Sequence, residues 1–404
     1  MYKTLQQGSI RVQVDGFALT TTFPSLLLAT CYDPSLQKIL NHRTNYYRSK
    51  LKPKTASIMP TVNAVYYPSW KVYNGKPPSC LNVQATTHIL YAFIRVNEDG
   101  SLKLLDEWGD INMEVDGAQG CLGALAKLKQ ENPHIRTLIS VGGGSGSDEF
   151  PALAANPDAR ALFAQQIREF CDRHSFDGVD IDWEHPTTED QGRDYLSLLQ
   201  ATREALPGPD YLVTTALPVG EYCLQHIDLE AAGNILDFIN LMGYDFVGGW
   251  TDVSGHHAQL CLPSDDVDEV HPNLRHCCAG AVDYIISRGF PSSKIVLGVP
   301  AYARFFPGAS GLGEAFSEAG ELDYCDLSED CVNHAQVDEK AAAACYVDDC
   351  DGKGFVTFDV PRTVVLKAQF AKEKALAGLF YWTGVGDREG DDSLVAAGYT
   401  ELTS

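Results

Sequence analysis

Short apolar runs rich in β-branched residues alternate along the chain with longer segments in which apolar residues recur at helical spacing. The apolar runs predict eight strands, at Asn63–Tyr67, His88–Arg95, Arg136–Gly142, Gly178–Glu184, Tyr211–Leu217, Asp237–Tyr244, Lys294–Tyr302 and Ala377–Trp382. The helical pattern is clearest at Gly123–Gln130, Pro157–His174, Asp190–Leu206, Ala279–Arg288 and Val360–Lys374. Alternating strands and helices indicate a parallel sheet, and eight units over roughly 340 residues predict the α/β fold of a (β/α)8 TIM barrel.

Two connections exceed ordinary loop length, Val247–His276 after the sixth predicted strand and Arg304–Gly354 after the seventh. In such a barrel they lie at the carboxyl ends of the strands, where barrel enzymes carry their chemistry, so we expect them to shape a cleft. The second stretch reads as a loop, and its clustered cysteines predict local disulfides. These cysteines are Cys325, Cys331, Cys345 and Cys350.

Three acidic residues, Asp180, Asp182 and Glu184, alternate with apolar residues in the fourth predicted strand. Alternation directs their side chains to one face. An edge strand with a solvated acidic face is one interpretation, but helical patterns on both sides favour a buried strand in a parallel sheet. Because buried like charges raise one another's pKa, the row favours a general acid that is protonated near neutral pH.

Aromatic and polar side chains recur at the carboxyl ends of other predicted strands. They include Tyr66, Tyr67, Trp70, Phe93, Ser140, Tyr244, Asp245, Tyr302, Arg304 and Trp382. Rings pack against the apolar faces of sugars and acids bond sugar hydroxyls, so this recurrence predicts a sugar-binding groove. For a single ring, ordinary packing at the barrel rim is the alternative.

The chain is acidic, with 31 Lys and Arg against 54 Asp and Glu and a net charge of −23. That field disfavours nucleic acid and anionic membranes as partners but suits a neutral or cationic sugar polymer. No run reaches the ~18 apolar residues of a membrane span. No CxxC pair occurs, so we expect no metal and no cofactor. We also expect a monomer.

The first 60 residues differ from the rest, with eight Lys and Arg against only Asp15 and Asp33. The apolar patch 26–29 is short and late, and lacks the order of a signal peptide. We therefore expect residues 1–60 to be a disordered tail or an atypical leader, a transit peptide or a misassigned start being alternatives. Residues 61–404 are expected to form the catalytic barrel of an extracellular protein.

Several ordered motifs resemble those of glycoside hydrolase family 18, the chitinases. The segment 177–184 is similar to the family's DGxDxDxE, 140–143 to SxGG, 242–245 to MxYD, and 298–304 to GxPxYGR. The strand ending at Trp382 stops where the family places a subsite tryptophan. The resemblance covers residues 61–402 and implies a TIM barrel with a reduced insertion after the seventh strand.

The resemblance also implies catalytic roles. Glu184 would protonate the glycosidic oxygen, and the substrate's own 2-acetamido oxygen would attack the anomeric carbon, with retention. Asp182 would hold the acetamido N–H and share a proton with Asp180. Tyr244 would align the acetamido carbonyl.

The same resemblance implies binding roles on chitin and chitooligosaccharides. Tyr66 and Ser140 would hydrogen-bond Asp180, and Trp382 would lie under the cleaved sugar. Other contacts to that sugar or its neighbours would come from Met242, Asp245, Tyr302 and Arg304, with Trp250 and Phe93 as groove walls.

The chain departs from the family pattern in three places. Gly144-Ser145-Gly146 stands where an aromatic often follows SxGG, His185 follows the acid where many members have Tyr, and Ala303 replaces a Gly. A protonated His185 would lower the pKa of Glu184. With an insertion shorter than that of processive members, these features predict a shallower, endo-acting cleft.

Two other functions share parts of this pattern. A non-catalytic lectin on the same barrel would usually lack the acid, which is present as Glu184. An enzyme that cuts the chitobiose core of N-glycans would usually depart from MxYD, which is intact at residues 242–245.

Overall fold

The computed structural model describes residues 9–14, 17–22 and 61–404. The chain divides into two units, residues 1–58 and 59–404. In the first unit, strands β1 (Ser9–Val14) and β2 (Phe17–Thr22) pair antiparallel. The rest of the predicted tail or leader lies outside the described residues, so the assignment of residues 1–60 stays a prediction.

The second unit is built on eight parallel strands that close into a barrel. Its strands in chain order are β3 (Val62–Pro68), β4 (His88–Val96), β5 (Leu102–Leu104), β6 (Glu114–Val115), β7 (Ala118–Gln119), β8 (Arg136–Gly142), β9 (Gly178–Asp182), β10 (Leu212–Pro218), β11 (Phe238–Met242), β12 (Ile295–Pro300), β13 (Tyr302–Phe306), β14 (Gly320–Asp323), β15 (Gln336–Asp338), β16 (Ala343–Asp348), β17 (Gly354–Phe358) and β18 (Gly378–Trp382). The barrel order is β3-β4-β8-β9-β10-β11-β12-β18, and β18 pairs with β3 to close it. The predicted TIM barrel is confirmed.

Helices cover the outside of the barrel. They are α1 (Gly120–Glu131), α2 (Phe150–Ala155), α3 (Pro157–His174), α4 (Glu189–Ala205), α5 (Glu221–Leu224), α6 (Leu229–Ile235), α7 (Cys278–Ser287), α8 (Glu329–Asn333), α9 (Pro361–Glu373) and α10 (Leu394–Thr403). In α3, Asn156 caps the helix by accepting hydrogen bonds from two backbone N–H groups, and Pro157 occupies the first turn. Phe163 and Ile167 then bury one face. No helix in the described part is long and apolar enough to cross a bilayer.

All eight predicted barrel strands exist, but three end earlier than predicted. The fourth ends at Asp182 because the next backbone groups leave the ladder, and the N–H of Glu184 donates to Ser147 Oγ at 2.8 Å. The register across β8, β9 and β10 aligns Ser140, Asp180 and Thr214 as direct neighbours. Three polar side chains therefore meet inside the barrel.

The prediction of a cysteine-rich loop after the seventh strand is wrong. Strands β13 to β17 form a five-stranded antiparallel sheet, in the order β14-β13-β17-β16-β15. Its strands are short and pair over long sequence separations, so local periodicity reveals little of them. The predicted disulfides are also absent: within the described residues, the four clustered cysteines are free thiols, with Cys325, Cys331 and Cys345 on three different elements and Cys350 in the turn after β16. The connection 247–276 contains only two short 3-10 helices, as expected of a long loop.

Candidate active site

Asp180 lies at the floor of the barrel mouth, fully buried. Its Oδ2 accepts hydrogen bonds from Tyr66 OH (2.7 Å) and Ser140 Oγ (2.8 Å). Its Oδ1 accepts from Thr214 Oγ1 (2.7 Å) and Asn240 Nδ2 (3.1 Å). Burial raises the pKa of Asp180, and the four hydrogen bonds oppose that rise. We refer to these five residues as the acid floor.

Asp182 stands directly above the floor on the same strand and is 4% exposed. Burial raises its pKa well above its usual range, and the charges of Glu184 and Asp180 raise it further. Its Oδ1 has no hydrogen-bond partner among the described residues. The carboxylates of this row therefore titrate together, and the row offers one buried acceptor that is free for a ligand.

Glu184 follows the end of β9 and reaches the cleft, with 27% of its side chain exposed. Ser147, which accepts the Glu184 N–H, donates in turn to the Gly143 carbonyl at 3.1 Å, so the backbone before the acid is fixed. Burial, with a smaller contribution from the charge of Asp245, raises the pKa of Glu184 to about 7. A substantial fraction of Glu184 is therefore protonated near neutral pH, as a general acid requires.

His185 contacts the acid from the side, with Nε2 3.9 Å from Glu184 Oε2. Burial lowers the pKa of His185 to about 4. The imidazole is therefore neutral near pH 7, and the expected influence of its charge on Glu184 is confined to acidic solution.

Two cavities meet at Glu184. The smaller, of about 190 Å³, is lined by Tyr66, Phe93, Gly144, Asp182, Glu184, Ala216, Met242, Tyr244, Asp245 and Trp382. The larger, of about 500 Å³, shares Glu184, Met242, Tyr244 and Asp245 and extends past His185 and Tyr222 to Trp250 and His276. The acid therefore stands where a chain lying across both cavities would be cut.

Aromatic rings form one side of the smaller cavity. Trp382 stacks on Phe93 (centroids 5.7 Å apart, planes at 22°), and Phe93 stacks on Trp70 (6.1 Å, 27°). Gly143 lies against this stack with φ 78°, and a Cβ there would lie 2.5 Å from the Phe93 ring. The second glycine of the SxGG motif is thus required both by its backbone conformation and by the ring it faces.

The opposite side of the cleft is built around Asp245. Its Oδ1 accepts hydrogen bonds from Tyr302 OH (2.5 Å) and Arg304 Nε (2.7 Å), both on β13 of the insertion. The Arg304 guanidinium lies 4.8 Å from the ring centre of Trp250, which is 62% exposed. Burial alone would raise the pKa of Asp245, but the imidazole of His257 beside it and the hydrogen-bonded Arg304 guanidinium hold it well below its usual range. We call Asp245, Tyr302, Arg304 and Trp250 the outer wall.

Every residue to which a catalytic or binding role was assigned lies in the row of Asp180, Asp182 and Glu184, in the acid floor, in the stack of Trp382, Phe93 and Trp70, in the outer wall or in the two cavities. Tyr67, also predicted for the groove, is a correction: it alternates with Tyr66 to the other face of β3, is fully buried, and donates its OH to the Lys76 carbonyl at 3.2 Å. Sequence reasoning missed Thr214 and Asn240, which complete the floor, and Ser147, which holds the Glu184 backbone. A polar residue at an inward position of an otherwise apolar buried strand, such as Asn240 between Ile239 and Leu241, is the signal that could have found two of them.

One cluster outside the cleft has metal-ligand chemistry, formed by Asp323, Cys325 and Asp326. Lysine ammonium groups already contact it: Lys71 Nζ lies 2.5 Å from Asp323 Oδ2, and Lys76 Nζ lies 2.8 Å from Cys325 Sγ. These two lysines already supply the positive charge that the cluster faces, and we assign no metal to it.

Comparison with known proteins agrees with the geometry. Residues 62–387 match the sequence profile described as Glycosyl hydrolases family 18. The chain is 32% identical over 367 residues to Chitinase 1 of Aphanocladium album, covering 85% of each. The Ostrinia furnacalis Group IV chitinase in complex with allosamidin superposes with a TM-score of 0.75 at 27% identity, covering 85% of this chain and 99% of that one.

A family 18 N-acetylglucosaminidase from Paenibacillus barengoltzii superposes with a TM-score of 0.69 at 26% identity, over 85% of this chain and all of that one. The fold and the profile match agree with the motifs around Glu184. The chain belongs to glycosyl hydrolase family 18, and the protein is a glycoside hydrolase.

Proposed function

We propose that the protein is a chitinase that hydrolyses β-1,4 bonds between N-acetylglucosamine units of chitin and chitooligosaccharides. The observation that carries this proposal is the position of Glu184, a carboxyl whose pKa burial raises to about 7, at the junction of two ring-lined cavities. The names of Chitinase 1 and of the Ostrinia chitinase support the same substrate class.

The mechanism we propose is substrate-assisted and retaining. Glu184 gives its proton to the glycosidic oxygen as the bond from that oxygen to C1 breaks. The oxygen of the substrate's 2-acetamido group forms the new bond to C1, giving a cyclic oxazolinium ion. The unpartnered Oδ1 of Asp182 would accept a hydrogen bond from the acetamido N–H. This N–H would be buried in the bound substrate, and a buried donor without an acceptor is costly.

The remaining roles follow from protonation. Asp180 and Asp182 would exchange a proton, because burial raises the pKa of both carboxyls and the donors to Asp180 are neutral groups that only partly oppose this. Burial raises the pKa of Tyr244 well above its usual range, so its phenol stays protonated and can donate to the acetamido carbonyl. Ionised Glu184 then takes a proton from the water that opens the oxazolinium ion.

Sugar binding is assigned to both sides of the cleft. Trp382, with Phe93 and Tyr66 beside it, would lie under the cleaved sugar. Met242 and the outer wall would contact this sugar and the leaving sugars. We expect the protein to act outside cells, since its substrate is a polymer too large to enter them. We also expect it to act as a monomer.

An endo mode of cleavage is part of the proposal. Where the leaving sugar would meet a ring after the SxGG motif, this chain has Gly144 and Ser145, and Arg95 bonds the Gly142 carbonyl (2.6 Å) and Ser145 Oγ (2.8 Å) instead. With less stacking on that side, long chains should be released after each cut.

The decisive experiment compares wild type with Glu184→Gln on tetra-N-acetylchitotetraose. Wild type should release β-anomeric products at once, and the variant should lose about a hundredfold or more in kcat, the usual contribution of a general acid. Oligomer binding without cleavage would instead indicate a lectin. Neither binding nor cleavage would favour the N-glycan alternative, tested next on a high-mannose glycopeptide.

The endo mode needs its own measurement, the product distribution from longer oligomers and from soluble polymeric chitin. Early release of mixed lengths with a fast fall in viscosity is expected. Release of monomer alone from one chain end would match an N-acetylglucosaminidase, and successive dimers from one end would contradict the endo mode.

A further inference from the structure

His257 lies behind the outer wall, and its buried side chain makes no hydrogen bond to the described residues. The residue is 1% exposed, and neither ring nitrogen has a hydrogen-bond partner among the described residues. Its Nδ1 is 3.8 Å from Asp245 Oδ1, and its ring centroid is 5.1 Å from that of Tyr302. A buried polar side chain without partners is costly, so its retention beside a cleft carboxylate calls for an explanation.

The backbone ties His257 to Asp245. The N–H of Phe246, the residue after Asp245, donates to the His257 carbonyl at 3.0 Å. Asp245 itself has φ 63°, a left-handed conformation that a residue with a side chain adopts only when its surroundings hold it there. The loop 247–276 thus returns to place an imidazole directly behind a strained wall residue.

The wall carboxylate is enclosed on three sides. Tyr302 OH and Arg304 Nε donate to the same oxygen that His257 faces. The imidazole therefore occupies the remaining buried side, and the exposed 40% of the Asp245 side chain is directed to the cleft. Rotation of the carboxylate toward the interior would bring it onto the His257 ring.

We propose that His257 is a positioning residue for Asp245: its imidazole fills the buried side of the carboxylate and aims an N–H at Oδ1, so that Asp245 stays directed at the leaving sugars. This inference rests on the proposed function, in which Asp245 contacts the substrate. His257 itself does not reach the cleft, so any effect on hydrolysis must pass through the wall residues beside it, Asp245 and Tyr302, and we assign it to Asp245.

The neighbouring His256 supplies a matched control. It is 3% exposed, but its Nδ1 lies 3.1 Å from Thr357 Oγ1 and its ring packs near Phe355, away from the cleft. Replacing either histidine removes a buried imidazole, and only one replacement changes the surroundings of Asp245.

The test is a double-mutant cycle on tetra-N-acetylchitotetraose with His257→Phe and Asp245→Asn. Loss of the imidazole N–H that faces the ionised Asp245 carboxylate at 3.8 Å predicts a roughly tenfold fall in kcat/KM for His257→Phe, mostly in KM. His257→Asn keeps an N–H near the position of Nδ1 and should recover most of the activity. In the Asp245→Asn background, His257→Phe should have almost no further effect, whereas His256→Phe should have the same effect in both backgrounds.

An equal effect of His257→Phe in both backgrounds, or no effect at all, would overturn the inference while leaving the chitinase proposal intact. His257→Leu replaces the phenylalanine variant in the cycle if that protein does not fold. If wild type proves inactive, the same double-mutant cycle is measured by urea unfolding. A His257–Asp245 interaction predicts non-additive unfolding free energies, and this measurement needs no substrate. Additive unfolding free energies would then reject it.

Discussion

Asp180 in the acid floor and Asp245 in the outer wall are both carboxylates held by several hydrogen bonds, yet the two regions treat charge in opposite ways. The floor is fully buried, and its four donors, which are hydroxyls and an amide, only partly oppose the rise that burial causes in the pKa of Asp180. The wall is 40% exposed at Asp245 and one of its donors is the Arg304 cation, so the pKa of Asp245 is lowered.

The difference shows what each region can do. The neutral donors favour the ionised state but do not overcome the effect of burial, so the pKa of Asp180 stays raised and the floor can accept and return a proton during a reaction. A guanidinium favours only the ionised state, so the wall keeps a fixed negative charge. That charge in turn helps to raise the pKa of Glu184, so the wall influences the acid without exchanging protons with it.

The largest effect is expected from breaking the proton exchange with Asp182→Asn. An amide cannot share the proton of Asp180 or offer the same acceptor, so kcat should fall about a hundredfold or more. Steady-state hydrolysis of chitotetraose measures the loss. Retention of most of the wild-type kcat would remove Asp182 from the mechanism.

The same variant should be more stable than wild type at neutral pH. The pKa of Asp182 is higher in the folded state than in the unfolded state. Its bound proton therefore stabilises the fold fully below the unfolded pKa of ~3.9, and this stabilisation is lost as pH rises through the folded pKa. Asn has no charge to bury, so the difference in unfolding free energy should grow with pH. A constant difference from pH 4 to 8 would contradict this, and urea unfolding at each pH provides the measurement.

A smaller effect is expected from removing one neutral donor with Thr214→Val. Thr214 and Thr215 are both fully buried, but Thr214 donates to Asp180 while Thr215 accepts from Tyr195 outside the barrel. Each loss should lower the unfolding free energy by about 1–2 kcal/mol. Only Thr214→Val should also lower kcat, by roughly tenfold.

Thr215→Val is the control for this comparison, measured by urea unfolding and chitotetraose hydrolysis together. If both variants lower kcat equally, the floor's donors act through general stability and have no special role in catalysis.

The two regions also differ in how far the sequence predicts them. Asp180, Asp182 and Glu184 lie within five residues, so strand alternation alone places them on one face. The wall joins Asp245, which follows β11, to Tyr302 and Arg304 on β13. The strand-end pattern and the family motifs pointed to these residues but not to the contacts between them. These contacts, like the sheet of the insertion, are non-local and leave no periodic signal.

The other residues that sequence reasoning missed are single polar side chains. Thr214 and His257 each stand next to a residue of the same type, Thr215 and His256, and Asn240 stands between apolar residues, so the sequence does not show which of these side chains reaches Asp180 or Asp245. Their roles depend on register across neighbouring strands and on the return of a long loop.

Removal of the wall charge by Asp245→Asn should lower the pKa of Glu184, because the Asp245 charge contributes to raising it. The general acid must be protonated, so activity is lost as pH rises through about 7 in wild type. In the variant this alkaline limb of kcat/KM should move to lower pH by roughly 0.5–1 unit. An unmoved limb would mean that burial alone sets the acidity of Glu184, and a pH profile on chitotetraose decides between the two.

The smallest effect is expected from His185→Phe, which replaces the ring nearest the acid. Although His185 Nε2 lies 3.9 Å from Glu184 Oε2, burial lowers its pKa to about 4, so at neutral pH it carries no charge to influence Glu184. The alkaline limb near 7 should therefore stay in place, in contrast to Asp245→Asn. Below about pH 4 the imidazolium forms, but Glu184, with a pKa of about 7, is already protonated there, so the Phe variant should keep the wild-type activity in acid as well. A shifted alkaline limb in His185→Phe would show that a neutral neighbour close to Glu184 changes the pKa of the acid. The fixed charge of the outer wall would then not be what distinguishes Asp245 from other neighbours of Glu184.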